Sequence, residues 1–393
     1  MVGSGQSRAG CLMAAACGAL VLLGDVGGVA QAAHKRARAA QASAASKPDF
    51  KEMAKRMNAN TLTLVTGTPN LAYAAFGHDL AAVLNGGDEV WVLPVTSQGA
   101  AENVRDVRFL KSIDLGFAQT NILGHYRRSG EIGDLTDRLV YIAKICNEEF
   151  HVIARSDIVS LEQLRGKKVN LNTAGSGTQI AARDIFARLG IAVDEVDVGP
   201  TEGLEKLKNG EIAATVIAAA KPAPALAALR ASDGYGFVPV PFAHALQDDF
   251  LPTVLSHDDY PSLITRGTSI DTIATSTVLL AYNWPKDSDR YRRIDRFVKA
   301  FFSKLAEFQR PPRHAKWRET NLAASIPGWK RFEGAQAWLA ANRGETLSVQ
   351  RKLFERFLAD QHVPSLNGQD LSDRDRNQLF EEFIKWSQAR ESR

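Results

Sequence analysis

Cysteine is scarce in this sequence. Of the three cysteines, Cys11 and Cys17 lie in an N-terminal segment that we expect to be removed, which leaves Cys146 alone in the mature chain. A single thiol cannot form an intramolecular disulfide, so stability must come from the hydrophobic core. Cys146 follows an apolar segment, and only His151 is near it in the sequence. We therefore interpret Cys146 as a buried, inert thiol and not as a nucleophile.

The motifs of nucleotide binding and acyl transfer are missing from the glycine-rich stretch at 175–178. A Rossmann fingerprint needs a third glycine where Ile180 stands, and there is no Walker loop. A nucleophile elbow would place glycines two residues either side of Ser176, but Ala174 and Thr178 occupy those positions. The histidines are scattered without metal-ligand spacing, so we expect neither a metal site nor a cofactor.

A basic patch is also lacking from the main body of the chain. The net charge is +4, but most of the surplus lies in residues 33–57, an Ala-rich segment that we interpret as a mobile linker. The rest is close to neutral, so nucleic-acid binding is not expected. The basic residues of the linker are Lys35, Arg36, Arg38, Lys47, Lys51, Lys55 and Arg56.

The N-terminus has the features of a secretory signal peptide. Arg8 precedes a short apolar run at 11–23, and Ala30 and Ala32 form an Ala-x-Ala cleavage site. The run is too short to span a membrane. Lipidation of Cys17 is disfavoured because the segment before it lacks the usual leucine. We predict that residues 1–32 are cleaved and that the protein is exported to the periplasm.

From residue 61 onward, short apolar segments alternate with amphipathic ones. This alternation predicts an α/β fold with parallel sheets. The predicted strands are 61–66, 90–95, 115–118, 139–145, 151–155, 214–218 and 278–282. The predicted helices are 71–84, 103–110, 180–189, 202–208, 222–228, 290–308 and 332–341, and further amphipathic helices are predicted at 349–359 and 374–386.

Three loops of small polar residues each follow a predicted strand and open a predicted helix. They are 67–70, 97–99 and 173–178. Ligands of open α/β sheets bind outside the carboxyl ends of the strands, and helix N-termini offer free N–H groups to anions. Two facing sheets with such loops would form a cleft suited to a small anion. Taken alone, the Gly-Ser-Gly-Thr sequence at 175–178 is more often a simple helix cap than an anion site.

Several segments, in the same order, resemble the solute-binding proteins of TAXI-type TRAP transporters. The resemblance covers roughly residues 61–339. It is carried by Gly67-Thr68 with Tyr73, Gly99 with Glu102-Asn103, Asp114-Leu115-Gly116-Phe117 with Gln119, 151–155, 160–169, 175–178, 222–226 and Tyr260-Pro261.

This resemblance implies a type II periplasmic-binding-protein fold, in which two α/β lobes joined by crossing strands close over a ligand. Members of the family deliver small organic acids, including glutamate, to an ion-coupled membrane permease. Residues 58–149 and 270–345 would form one lobe and the hinge, and 150–269 the other. A helical extension at 346–393 would follow, which we expect to wrap the lobes, with dimerisation or permease docking as alternatives.

The resemblance also implies a set of ligand-binding residues. From the first lobe these are Thr68, Asn70, Tyr73, Gly99, Ala100, Asn103, Gln119 and Asn121. From the second lobe they are Ser176, Gly177 and Thr178, with Pro222 and Tyr260 along the rim or hinge. For Asn103 and Gln119 the alternative is that they satisfy nearby backbone groups, and for Tyr73 that it belongs to the core.

Four positions depart from the family pattern. Asn70-Leu71 replaces a usual Gly-Gly pair, Ala100 a usual serine and Asn121 a usual aspartate. An ammonium group would need a carboxylate, so Asn121 argues against glutamate and favours a plain carboxylate ligand. An alternative function is a periplasmic sensor for a membrane signalling protein. An exported enzyme would need an acid/base pair or a nucleophile, which the predicted cleft does not offer.

Overall fold

The computed structural model describes residues 49–69, 71–87, 89–344, 351, 354, 365–366 and 369–370. The described residues from 56 onward form one compact unit, to which the large sheet, the cores and the cavity belong. The predicted signal peptide, most of the predicted linker and nearly all of the predicted C-terminal extension lie outside the described residues. Among the helices that are described, none is both long and apolar enough to cross a membrane.

Strands and helices alternate through most of the chain. The strands are β1 Thr61–Val65, β2 Trp91–Val95, β3 Leu115–Gln119, β4 Leu139–Arg155, β5 Lys168–Asn170, β6 Asp194–Val196, β7 Ala214–Ala219, β8 Tyr235–Phe237, β9 Leu251–Ser256, β10 Ser269–Tyr282, β11 Ser365–Leu366 and β12 Gln369–Asp370. The helices are α1 Phe50–Asn60, α2 Ala72–Leu84, α3 Ala100–Phe109, α4 Thr120–Ser129, α5 Gly177–Arg188, α6 Pro200–Lys208, α7 Asp289–Ser303, α8 Leu305–Phe308 and α9 Glu333–Ala341.

One large sheet runs in the order β2-β1-β3-β10-β4-β7-β5-β6, with β8 beside β4 and β9 beside β10. The strands linked by helices are parallel: β1 pairs with β2 and β3, and β5 pairs with β6 and β7. The long strands β4 and β10 are antiparallel to each other and to their outer neighbours. This arrangement confirms the predicted α/β class.

Two separate cores define two lobes. The core of the first lobe is built from buried side chains in 62–146 and 278–339, and includes Phe76 and Trp317. The second lobe, 150–273, buries one apolar cluster around Phe186 and another around Ile153. β4 and β10 contribute to both lobes, so the two-lobed architecture with crossing strands is confirmed.

The crossing strands are longer than the sequence predicts. β4 was predicted as two strands, 139–145 and 151–155, because Asn147, Glu148 and Glu149 interrupt the apolar pattern. It is one continuous strand, since Glu148 and Glu149 are buried and accept hydrogen bonds. The sequence predicts only residues 278–282 of β10, because the first half of the strand is rich in threonine and lacks a run of apolar residues.

Four other predictions are corrected by the structure. The helix predicted at 222–228 is a single 3₁₀ turn, Pro224–Leu226, since two prolines in this segment oppose a regular helix. The helix predicted at 290–308 breaks at Lys304. The end of the predicted linker belongs to α1. Helix α4 was missed because its apolar residues are few.

A buried ion pair joins the two lobes behind the crossing strands. Successive side chains of a strand point to opposite faces, so Glu149 faces away from Glu148. Lys316 Nζ lies 3.1 and 3.3 Å from the two Glu149 carboxylate oxygens and 2.8 Å from a Glu319 oxygen. The backbone N–H of Lys221, in the second lobe, donates to Glu149 at 2.9 Å. Burial raises the pKa of Glu149 to about 7.

We expect Lys316→Met to destabilise the protein by about 3–5 kcal/mol, because Glu149 would stay buried without its cation. Urea unfolding measures the change. Lys330→Met is the matched control, since Lys330 and Asp137 form an exposed pair and its loss should cost less than about 1 kcal/mol. Adding Glu149→Gln to Lys316→Met should restore most of the loss. Equal stabilities of the Lys316 and Lys330 variants would contradict this role for the pair.

Candidate functional site

A cavity of about 270 Å³ lies between the two lobes. Eight of the predicted binding residues line it. From the first lobe they are Thr68, Tyr73, Gly99, Ala100 and Gln119, and from the second Ser176, Gly177 and Thr178. The sequence brings them together because the loops after β1, β2, β3 and β5 all leave the carboxyl ends of strands.

The predicted residue Asn103 does not line the cavity but holds its first-lobe loops in place. It is fully buried, and its Nδ2 donates to the carbonyl oxygens of Thr66 at 2.6 Å and Phe117 at 2.7 Å. Its Oδ1 accepts a hydrogen bond from the Ser97 hydroxyl at 2.6 Å. Asn103 therefore ties the ends of β1 and β3 to the loop before α3.

Asn121 also lies outside the cavity lining. Its Oδ1 accepts a hydrogen bond of 2.9 Å from the Thr275 hydroxyl, which links α4 to β10. Because Asn121 is not among the residues that line the cavity, its lack of a negative charge says nothing about an ammonium group on the ligand. Among the other predicted residues, Asn70 lies outside the described residues, and Pro222 does not line the cavity.

Tyr260 is part of a buried polar network in the second lobe and does not reach the cavity either. Its hydroxyl accepts from the backbone N–H of Ala223 at 2.8 Å and donates to His151 Nε2 at 2.7 Å. Nδ1 of His151 lies 3.1 Å from the Ile217 carbonyl oxygen, to which it donates. These bonds satisfy a neutral imidazole, and burial lowers the pKa of His151 to about 4.

Four helices begin at the wall of the cavity. The first helical residue of α2, α3, α5 and α6 lines it in each case: Ala72, Ala100, Gly177 and Pro200. The N-cap residues of α2, α3 and α6 make no side-chain cap hydrogen bond. First-turn N–H groups have no partner within their own helix. The cavity is therefore surrounded by the positive ends of helix dipoles from both lobes.

No lysine or arginine is found among the described residues that line this cavity. The remaining wall is mostly apolar and includes Leu71, Ile217 and Ala218. The positive potential therefore comes from backbone N–H groups, which can bind a carboxylate or phosphate.

The loop before α5 adopts an unusual backbone conformation that presents this helix end. Asn172 has φ of 85° and Gly175 φ of 76°, and asparagine and glycine tolerate the left-handed region. The Asn172 side chain accepts from the Thr173 N–H at 2.8 Å and donates to the Val216 carbonyl oxygen at 3.3 Å. Ser176 Oγ caps the helix by accepting from the Gln179 N–H.

The lobes meet where Gly177 faces the first lobe. A Cβ atom at this position would lie 2.7 Å from Oε1 of Gln119 and 3.2 Å from Cβ of Ala100. The contact therefore requires glycine, which shows that the structure is closed at this point.

Glu148 is a cavity residue that the sequence did not predict. It lies on β4 and is buried. One carboxylate oxygen accepts a hydrogen bond from Gln119 Nε2, and the other accepts from the Thr277 hydroxyl at 2.5 Å. Burial raises the pKa of Glu148, and these hydrogen bonds oppose the rise. The sequence signal that points to Glu148 is the run of three polar residues at 147–149 between two apolar strand segments.

The buried imidazole of His151 predicts acid sensitivity. Its folded pKa of about 4 lies below the unfolded value of about 6.5, so its contribution is present above pH 6.5 and is lost as the pH falls towards 4. The loss should reach about 3 kcal/mol. His151→Gln should flatten the dependence, while His78→Gln, which removes an exposed imidazole, should not. Denaturant unfolding between pH 7 and pH 4 measures the free energy of unfolding. Parallel curves of this free energy against pH for the wild type and His151→Gln would refute the role of His151.

The close lobe contact predicts that Gly177→Ala destabilises the closed arrangement by about 1–3 kcal/mol, because the added methyl group overpacks against Gln119 and Ala100. Small-angle scattering should show a larger radius of gyration than for the wild type. Gly236→Ala is the control, since a Cβ there meets nothing within 4 Å. Scattering curves identical to those of the wild type would count against the contact.

Solved structures with partial similarity include two ligand-binding proteins. Escherichia coli SsuA, a periplasmic aliphatic sulphonate binding protein, is 13% identical, with 83% of this chain and 92% of that chain covered and a TM-score of 0.37. The BenM effector-binding domain with benzoate is 12% identical, with 64% and 96% covered and a TM-score of 0.37. YhfZ from Shigella flexneri is 15% identical, with 68% and 98% covered and a TM-score of 0.39. At such TM-scores these similarities define neither a fold nor a ligand.

The family is defined by a sequence match over most of the folded unit. Residues 64–336, from the middle of β1 to α9, match the model of the NMT1-like family. The matched region includes every described residue that lines the cavity. This chain belongs to the NMT1-like family.

Proposed function

We propose that this protein is an exported solute receptor that binds a small organic acid between its lobes and delivers it to a TRAP-type membrane permease. The observation that carries the proposal is the convergence of four helix N-termini on one cavity, with no basic side chain among its described lining residues. Such a site binds an anion through N–H groups and helix dipoles. The apolar wall fits the carbon skeleton of an organic acid.

Domain closure is the proposed mechanism. Both lobes contribute helix ends, so a bound acid would contact both only when the lobes are closed. A ligand shifts an equilibrium towards the state that it contacts better. The crossing strands β4 and β10 are the natural hinge, because only their hydrogen-bonded ladder passes from one described core to the other.

Export and delivery to a TRAP permease rest on the sequence. The segment at 1–32 has the pattern of a signal peptide, and the segments from Gly67 to Tyr260 resemble TAXI-type solute-binding proteins. The cavity also favours binding over catalysis. Among the described lining residues Glu148 is the single carboxylate, and there is no histidine or cysteine to act with it.

The proposal predicts that acids bind and that their amides do not. Calorimetric titration of the mature protein with glutarate, benzoate and lactate, each beside its amide, should give at least tenfold tighter binding for one or more acids. The physical reason is that an amide lacks the charge that the helix ends stabilise. Equal affinities for acids and amides, or no binding of any acid in a wider panel, would refute the carboxylate site.

The variant Ser176→Val/Thr178→Val should weaken acid binding by at least tenfold, because both residues line the cavity at the N-terminus of α5. Loss of a helix cap also lowers stability by about 1 kcal/mol, so a cap outside the cavity serves as the control. Ser288→Val removes such a cap, since Ser288 Oγ accepts a hydrogen bond from the Tyr291 N–H at the start of α7 in the first lobe. Equal acid affinities of the two variants would count against a role of this loop in binding.

A further inference from the structure

We infer that Gln119, Tyr73 and Glu148 form an acceptor subsite that selects acids carrying a hydrogen-bond donor, a hydroxyl or an amino group, beside the carboxylate. This inference rests on the proposed function, because it concerns the ligand of the same cavity. The helix N-termini account for binding of the carboxylate, but they do not account for these three polar side chains in the cavity wall.

Oε1 of Gln119, a buried polar atom in the cavity wall, has no hydrogen-bond partner among the described residues. The hydroxyl of Tyr73 also makes no hydrogen bond of regular geometry, but it lies beside the Glu148 carboxylate and the Thr277 hydroxyl. The side chains are deeply buried, with 4% of Gln119 and 8% of Tyr73 exposed. A buried polar atom without a partner is costly, and native proteins leave few of them. Because both residues line the cavity, a bound molecule can supply the missing partner.

The orientation of the Gln119 amide is fixed by its neighbour. Nε2 donates to the Glu148 carboxylate, and a flipped amide would place two acceptors against each other. The Thr277 hydroxyl donates to the other carboxylate oxygen, which fits an ionised Glu148. Oε1 of Gln119 is therefore a pure acceptor, and its missing partner must be a donor.

The charge of Glu148 favours the same kind of ligand. It is the single charged side chain among the described lining residues, it is 6% exposed, and it accepts hydrogen bonds from the neutral groups of Gln119 and Thr277. Burying a charge is costly, and the Lys316 ammonium on the other side of β4 offsets only part of this cost. A hydroxyl or ammonium group would reduce this cost, whereas a second carboxylate or a carbonyl oxygen at the subsite would raise it.

Tyr73 completes the subsite. Its ring packs on Phe117 at 5.3 Å, so the hydroxyl is held in place. Burial raises the pKa of Tyr73, and the charge of the nearby Glu148 adds to the rise. The hydroxyl can both donate and accept, so it can bridge between the ligand and the carboxylate.

Acids with one carbon skeleton and different substituents test the inference. Calorimetric titration of the mature protein would compare glutarate, 2-oxoglutarate, 2-hydroxyglutarate and glutamate, and in parallel propanoate, pyruvate, lactate and alanine. We expect the hydroxy or the amino acid of a set to bind at least tenfold more tightly than the plain and keto acids. Either substituent supports the subsite, and the tighter of the two identifies the donor.

Two variants link the preference to the subsite. Glu148→Gln keeps the shape and removes the charge, and should reduce the preference for the substituted acid over the plain acid at least tenfold. Tyr73→Phe keeps the ring packing and should reduce the preference about threefold or more. Glu149→Gln, one residue along β4 on the opposite face, should leave the preference unchanged.

The outcomes separate this inference from the proposed function. If plain acids bind and the substituted acids bind no better, the acceptor subsite is refuted and the carboxylate site stands. If the preference is present but survives both Glu148→Gln and Tyr73→Phe, these residues do not create it. If Glu148→Gln does not fold, Tyr73→Phe decides alone. If no acid binds, the proposed function fails first.

Discussion

The structure depends on the long antiparallel pairing of β4 and β10, which passes from one core to the other through two shifts of register. The ladder runs from Leu139 opposite Tyr282 to Glu149 opposite Ala274, so neither lobe is complete without it. Because no apolar core covers the strands at their crossing, the side chains there are polar. Strand alternation then directs Glu148 towards the cavity and Glu149 towards Lys316. The residue that faces the cavity and the residue of the buried ion pair are thus neighbours on one strand.

The helix ends follow from the same topology. Parallel strands joined by helices bring their carboxyl ends to one edge of the sheet, so the helices that follow begin there. In the first lobe this edge is held by Asn103, which bonds two strand ends and one loop. In the second lobe the left-handed backbone at Asn172 sets the direction of the turn before α5. The positive ends of these helices need no lysine or arginine among the described lining residues.

Local pattern was enough to predict the alternation from β1 to β3 and the loops that open α2, α3 and α5, because strand periodicity, glycine and small polar caps are local signals. It was not enough for Glu148. A glutamate inside an apolar segment predicts the end of a strand unless its partners are known, and these are Gln119 and Thr277, 29 and 129 residues away. Asn121 failed as an indicator of ligand charge for the same reason, since its partner Thr275 is distant in sequence.

Gln119 contacts both the proposed ligand subsite and the junction of the two lobes. Its Nε2 binds Glu148 at the crossing strands, while its Oε1 faces the position where Gly177 brings the second lobe against the first. A donor that satisfies Oε1 therefore has to lie at the junction of the lobes, next to the N-terminus of α5. A carboxylate on the same molecule can then reach the N–H groups of that helix only when the lobes are together. The positions of the unpartnered acceptor and of the helix end thus make one small ligand with two polar groups the best stabiliser of the closed state.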